Sequence, residues 1–173
     1  MKYAQIRNLD ISNGTGIGVS LFVQGCHFHC FNCFNQETWN FDSGKEWTQK
    51  IEEKFIEIAN NPHIDRISIL GGEPLAPENV DSVIKLCKRL AELNKQIWVF
   101  TGYRMEELPS RQQDILKYID ILVDGRYVDD LRNPSLAYRG SSNQHIWEKS
   151  EGEWHIVDFD ENGDVVSTSE DNA

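Results

Sequence analysis

The chain has no apolar run near the ~18 residues that a membrane-crossing helix requires, which speaks against a membrane protein of that kind. Its first residues, Met1-Lys2-Tyr3-Ala4-Gln5-Ile6, pass into Arg7, Asn8 and Asp10 without the continuous apolar stretch of a secretory leader. Basic residues are scarce. Lys and Arg total 17 against 28 Asp and Glu, leaving a net charge of −11 at pH 7. Phosphate binding relies on clustered cations that displace counterions, so neither nucleic acid nor an anionic membrane is an expected partner. The acid excess gathers late in the chain, where Glu148, Glu151, Glu153, Asp158, Asp160, Glu161, Asp164, Glu170 and Asp171 face Lys149, and it reads as a solvated edge. At 173 residues the chain can bury a core, but it is shorter than the roughly 250 residues of a closed eight-stranded barrel. Cysteine is sparse too, at four residues, none of them obviously paired, and a reducing cytoplasm is the expected compartment.

Three of those cysteines, Cys26, Cys30 and Cys33, fall within eight residues, and Cys87 stands apart. Three thiolates are one donor short of a closed tetrahedral site, whereas a four-iron cluster held by three thiolates keeps one iron open. Three readings follow from the spacing. The loop holds a 4Fe-4S cluster, or His27 or His29 completes a zinc site, or the thiols stay reduced and bind no metal. Zinc is handicapped because the neighbours His29 and Cys30 would have difficulty reaching one ion from extended chain. Cys87 lies on the apolar face Val80, Val83, Ile84, Cys87, Leu90 and Ala91 of an expected helix, where it reads as a small core residue.

Around this loop the apolar pattern alternates between strands and helices. Strands are expected at 18–24, 66–70, 96–100 and 119–124, with helices at 46–60, from Pro77 to about 91, and at 105–118. That order predicts a parallel sheet with crossover helices, whose ligands gather at the C-terminal strand ends. The segments 25–35, 71–74, 101–103 and 124–126 all follow strands and should therefore converge. Past residue 144 the pattern becomes antiparallel, with Asn162-Gly163 as a hairpin signal, so a domain of residues 1–146 and an appendage of 147–173 are expected, the last residues from Ser167 disordered. Asp158, Asp160, Asn162-Gly163 and Asp164 imitate the start of a calcium loop, but Ser169 occupies the position of its closing glutamate. His63, His145 and His155 read as surface or packing residues.

Gly71-Gly72-Glu73-Pro74, at the end of a strand, can be a tight turn or a place where a ligand nears the backbone and an ammonium group finds acceptors. Together with the cysteines it resembles the radical S-adenosylmethionine superfamily. Asn13–Gly16, Leu21–Cys26, Cys33–Trp39, Gly71–Leu75, Trp98–Tyr103, Leu122–Tyr127 and Arg139–Gln144, in that order, narrow the resemblance to the activating proteins of anaerobic ribonucleoside-triphosphate reductases, over about residues 3 to 146.

The resemblance implies an α/β fold, specifically a partial, open (β/α) barrel of parallel strands with a small C-terminal antiparallel appendage. It implies that Cys26, Cys30 and Cys33 hold a 4Fe-4S cluster whose open iron binds S-adenosylmethionine, with Asn32, Cys33, Phe34, Gly71, Gly72, Glu73, Pro74 and Thr101 around that cofactor. Reductive cleavage then yields a 5'-deoxyadenosyl radical that takes hydrogen from a glycine of the large catalytic subunit of the reductase, and no catalytic side chain is required. An external flavodoxin or ferredoxin supplies the electron, because the cysteines needed for further clusters are missing. Two departures stand out. Many relatives have proline at Thr15 and arginine at Gly18, and the superfamily usually has an aromatic residue where Asn32 stands, so Phe34 is the nearest candidate to pack on adenine. A small-molecule enzyme of the deazapurine type and a non-catalytic zinc-binding module are the alternative functions.

Overall fold

Apolar residues at nearly every position of four short segments make strands buried on both faces, and amphipathic segments between them make the helices that cover one face. The computed structural model describes residues 1–168. In chain order the elements are β1 (Lys2–Asp10), β2 (Gly18–Val23), β3 (Lys45–Glu46), α1 (Gln49–Ala59), β4 (Arg66–Gly71), α2 (Val80–Leu90), β5 (Gln96–Phe100), α3 (Ser110–Gln113), β6 (Ile121–Asp124), β7 (His145–Ser150), β8 (Glu153–Phe159) and β9 (Val165–Thr168). Thr48 caps α1 by accepting from the Ile51 amide at 3.2 Å. Arg89 near the end of α2 pairs with Glu52 and Glu53 of α1, tying the two helices together.

Among the described residues, nine strands join one sheet in the order β3-β1-β2-β4-β5-β6-β7-β8-β9. β2, β4, β5 and β6 are parallel and are added in chain order. Right-handed crossovers in a single direction place the connecting helices on one side. There Leu21, Ile69, Val99 and Leu122 meet Phe55, Leu86, Cys87, Leu90 and Ile115 in the main core. The opposite face carries Arg66, Ser68, Trp98, Phe100 and Val123 on alternating positions, with a smaller cluster of Trp98, Ile121, Val123, Ile146 and Val157.

This arrangement corrects the expected partial, open (β/α) barrel of parallel strands with an appended hairpin. The sheet is mixed: β1 and β3 extend it antiparallel beyond β2, and β7 to β9 extend it antiparallel beyond β6. β1 escapes a search for apolar periodicity because its residues are mostly polar and Tyr3 and Asp10 are its buried positions. It is a strand because the edge of β2 offers unpaired amides and carbonyls. The same holds at the other edge, where Val123 pairs with Ile146 and draws β7 into the sheet. The expected helix at 105–118 is broken into a 3-10 turn at Met105–Glu107, the short α3, and a second 3-10 turn at Asp114–Lys117, with Pro109 unable to donate within a continuous helix. Ser167 and Thr168 pair with β8, contrary to the expected disorder there, and the remainder of that tail lies outside the described residues.

Candidate functional site

The ends of β2 and β4 are laced together by their backbones. The Gly72 amide donates to Val23 O at 2.9 Å and the Glu73 amide to Gly25 O at 2.7 Å, while the Gly25 and Cys26 amides reach forward to Thr38 O and Trp39 O. A Cβ on Gly72 would stand 2.5 Å from Gly25 O, and one on Gly71, where φ is +104°, would stand 2.8 Å from the Val23 backbone. The two glycines are thus explained by the contact between turn and cysteine loop, before any ligand is considered.

Cys26, Cys30 and Cys33 emerge from this junction into a cavity of about 390 Å³ shared with Gly71, Gly72, Glu73, Thr101, Gly102 and Arg126. That volume is in the range of small-molecule sites. The segments after β2, β4, β5 and β6 therefore all meet in one place. The three thiols are unpaired and half-buried. Burial, opposed in part by backbone amides, holds the Cys26 and Cys30 thiols above their ordinary range, so loading a metal group there must release protons.

The histidines of the loop are engaged elsewhere. His27 Nε2 hydrogen-bonds with Glu78 at 2.8 Å, and His29 stacks on Trp39 with ring centroids 4.5 Å apart. Among the described residues, no three His, Cys, Asp or Glu side chains converge on a single-ion site. Soft sulfur donors spread over one loop suit a cluster better than one zinc ion. A further feature fits such a group: the indole Nε1 of Trp39, a residue on the cavity wall, is buried with no hydrogen-bond partner among the described residues, a donor suited to an acceptor brought by a bound group. Cys87 lies in the helix-side core, fully buried, its thiol pushed far up by burial.

Glu73 turns inward. Its carboxylate accepts from Leu75 N at 2.8 Å, Gly102 N at 2.6 Å and the Thr101 hydroxyl at 2.9 Å. Burial raises its pKa to about 7 although those three donors pull the other way. Glu73 and Thr101 consequently brace the turn after β4 against the turn after β5. Asn32 is exposed, in a left-handed conformation, and donates to Asp129 at 3.1 Å, whereas Pro74 is buried; neither lines the cavity. Phe34 does line it, 70% exposed and tilted against Tyr127 at 5.3 Å.

Several lining residues carried no assigned role in the sequence. Ser12 and Asn13 come from the loop between β1 and β2, and Arg126 lies 4.5 Å over the Phe28 ring. Arg139 and Gln144 belong to a loop that Gln144 closes on itself, accepting from the Gly140 and Ser141 amides and donating to Gly125 O. For Asn13, Arg126, Arg139 and Gln144 the signal was the family-like segments Asn13–Gly16, Leu122–Tyr127 and Arg139–Gln144, which mark position without chemistry; Ser12 lies outside them. At Gly18 the space for a side chain is filled by the Arg66 guanidinium.

Residues 12–147 match the model of a 4Fe-4S single cluster domain, which gives the class of the site. At the level of whole chains, the protein is 45% identical over 150 residues to the anaerobic ribonucleoside-triphosphate reductase-activating proteins of Salmonella typhi and Escherichia coli (strain K12), covering 84% of this chain and 97% of each relative. It is 35% identical over 158 residues to the protein of that name from Enterobacteria phage T4, covering 89% of this chain and 98% of that one. The chain belongs to the family of anaerobic ribonucleoside-triphosphate reductase-activating proteins.

Proposed function

We propose that this protein is a radical S-adenosylmethionine activase that generates the glycyl radical on the large catalytic subunit of the anaerobic ribonucleoside-triphosphate reductase. One observation carries the reading: three unpaired thiols of one loop open into the same cavity as the turns after β4 and β5, in a chain of the activating-protein family. Cys26, Cys30 and Cys33 would hold the 4Fe-4S cluster. When bound, the cluster supplies the electron for reductive cleavage of S-adenosylmethionine.

The protein's own part is binding, orientation and shielding. The Gly71–Glu73 turn offers backbone acceptors to the methionine ammonium group, while Glu73 itself is committed to Leu75, Thr101 and Gly102 and acts as the brace of that turn. Phe34 and Tyr127 present an aromatic wall suited to the adenine. Hydrogen-atom transfer needs no general base, so a buried, braced carboxylate beside the cavity is consistent with the chemistry. Of the four cysteines, three are in the loop and one is sealed in the core, which leaves no ligand set for a second cluster and favours an external donor, flavodoxin or ferredoxin.

Among the described residues no helix is long and apolar enough to cross a membrane, and the acid excess makes a protein partner the better match than nucleic acid. Anaerobic reconstitution with iron and sulfide, followed by electron paramagnetic resonance of the co-incubated reductase, tests the proposal. A glycyl radical that depends on S-adenosylmethionine is expected. A colourless, zinc-loaded protein that leaves S-adenosylmethionine intact would overturn it.

A further inference from the structure

Arg66 begins β4 and is wholly buried. A buried guanidinium is costly unless its donors are satisfied, and for stability alone a well-packed apolar residue usually serves as well. Its partners are oxygens concentrated on one loop. Nε donates to Thr15 O at 3.0 Å, Nη1 to Asn13 O at 3.2 Å and to the Ser68 hydroxyl, and Nη2 to Asp10 O. Ser68 in turn donates to Asn13 O at 2.6 Å.

The same loop is gripped from its other end by the Asp10 carboxylate, which accepts from the Ser12 amide at 2.7 Å, the Asn13 amide at 3.2 Å and the Ser20 hydroxyl. Gly14 and Gly16 take φ of +144° and +67° within it, and a side chain on Gly14 would collide with Arg66. Ser12 and Asn13, carried by this doubly held loop, line the cavity that also receives the three cysteines.

We propose that Arg66 is a positioning residue of the site, clamping the loop of residues 10–16 so that Ser12 and Asn13 form a fixed wall against bound S-adenosylmethionine. This rests on the activase reading for its ligand and on the geometry for its clamp. Gly18 and Arg66 are direct partners across β2 and β4, and a Cβ on Gly18 would lie 2.6 Å from both terminal guanidinium nitrogens. A side chain on Gly18 and the Arg66 guanidinium therefore exclude each other, and the charge at this place is supplied by β4.

The test uses Arg66→Met and Arg66→Lys in the full chain. Hydrogen–deuterium exchange on the apoprotein reads the clamp, and equilibrium dialysis of S-adenosylmethionine against anaerobically reconstituted protein reads the wall. Losing charge-assisted bonds from Arg66→Met is expected to speed exchange at residues 12–16 about tenfold or more and to weaken binding by about the same factor. Iron per chain and exchange in β7 and β8 should not change, which a general loss of structure would not allow.

Arg66→Lys, with one ammonium for four acceptors, should fall between. Parental exchange at residues 12–16 in Arg66→Met refutes the clamp, and parental affinity refutes the wall. If Arg66→Met does not fold, Arg66→Lys decides: parental exchange at residues 12–16 together with parental affinity overturns the proposal. If the parent itself binds no S-adenosylmethionine, the activase reading fails while the exchange data still judge the clamp.

Discussion

Replacing Glu73 by glutamine should change how stability depends on pH, and the size of the change follows from its surroundings. Glu73 is 2% exposed, and burial lifts its pKa from the ordinary 4.5 to about 7 against the pull of three hydrogen-bond donors. Below pH 4.5 the group is protonated both folded and unfolded, and its contribution to stability is complete. Between 4.5 and 7 the unfolded chain releases the proton while the folded chain keeps it, so folding takes up a proton and stability falls as pH rises. Above 7 the contribution is lost. At ~1.36 kcal/mol per pH unit, the interval from 4.5 to about 7 is worth about 3 kcal/mol. The amide that replaces the carboxyl in Glu73→Gln cannot ionise, so the variant's curve lacks this slope. It also cannot accept from both the Leu75 and Gly102 amides through two oxygens, which costs about 1 to 3 kcal/mol at every pH. Urea unfolding of both reduced apoproteins from pH 5 to 8 should show the parent clearly more stable at pH 5 and its advantage shrinking by about 2.5 kcal/mol by pH 8. Parallel curves would refute a buried, proton-holding Glu73.

Single Ala replacements of Cys26, Cys30 or Cys33 should abolish iron loading and cleavage of S-adenosylmethionine, whereas Cys87→Ala should load normally and lose about 1 to 2 kcal/mol in chemical denaturation; an iron-free Cys87→Ala protein would show the ligands to be misassigned. Gly72→Ala drives a methyl group into Gly25 O at 2.5 Å, and should lower stability by about 3 kcal/mol and reduce iron bound per folded chain; normal loading would separate the turn from the cysteine loop. Trp39→Phe removes the unpartnered indole N–H and should move the midpoint of the loaded cluster to more negative potential in a spectroelectrochemical titration, since hydrogen bonds to cluster sulfur favour the reduced state. An unmoved midpoint would mean that the indole faces no cluster sulfur.

The four parallel strands were legible because each is a run of apolar residues followed at once by Gly or polar residues, and α2 because its apolar stripe repeats at helical spacing. β1 was not legible. Its residues are mostly polar, and pairing with β2 rather than burial makes it a strand. The barrel expectation failed for a related reason: local pattern identifies strands, but the free edges of the parallel core chose antiparallel neighbours on both sides.

The site divides in the same way. The three cysteines and the Gly-Gly-Glu-Pro turn announced themselves because donor chemistry and backbone freedom are properties of short segments, and the sequence by itself therefore determined what kind of group this protein can hold. Direction was decided by tertiary structure. Glu73 points into the protein because Leu75, Thr101 and Gly102 bring donors to it from two turns. Arg66, an unremarkable first residue of a strand, becomes a clamp because Asp10, Asn13 and Thr15 turn their carbonyls toward it across more than fifty residues of chain. Those contacts depend on which strands lie side by side, and that is settled only when the whole sheet has closed its hydrogen bonds and buried its apolar face.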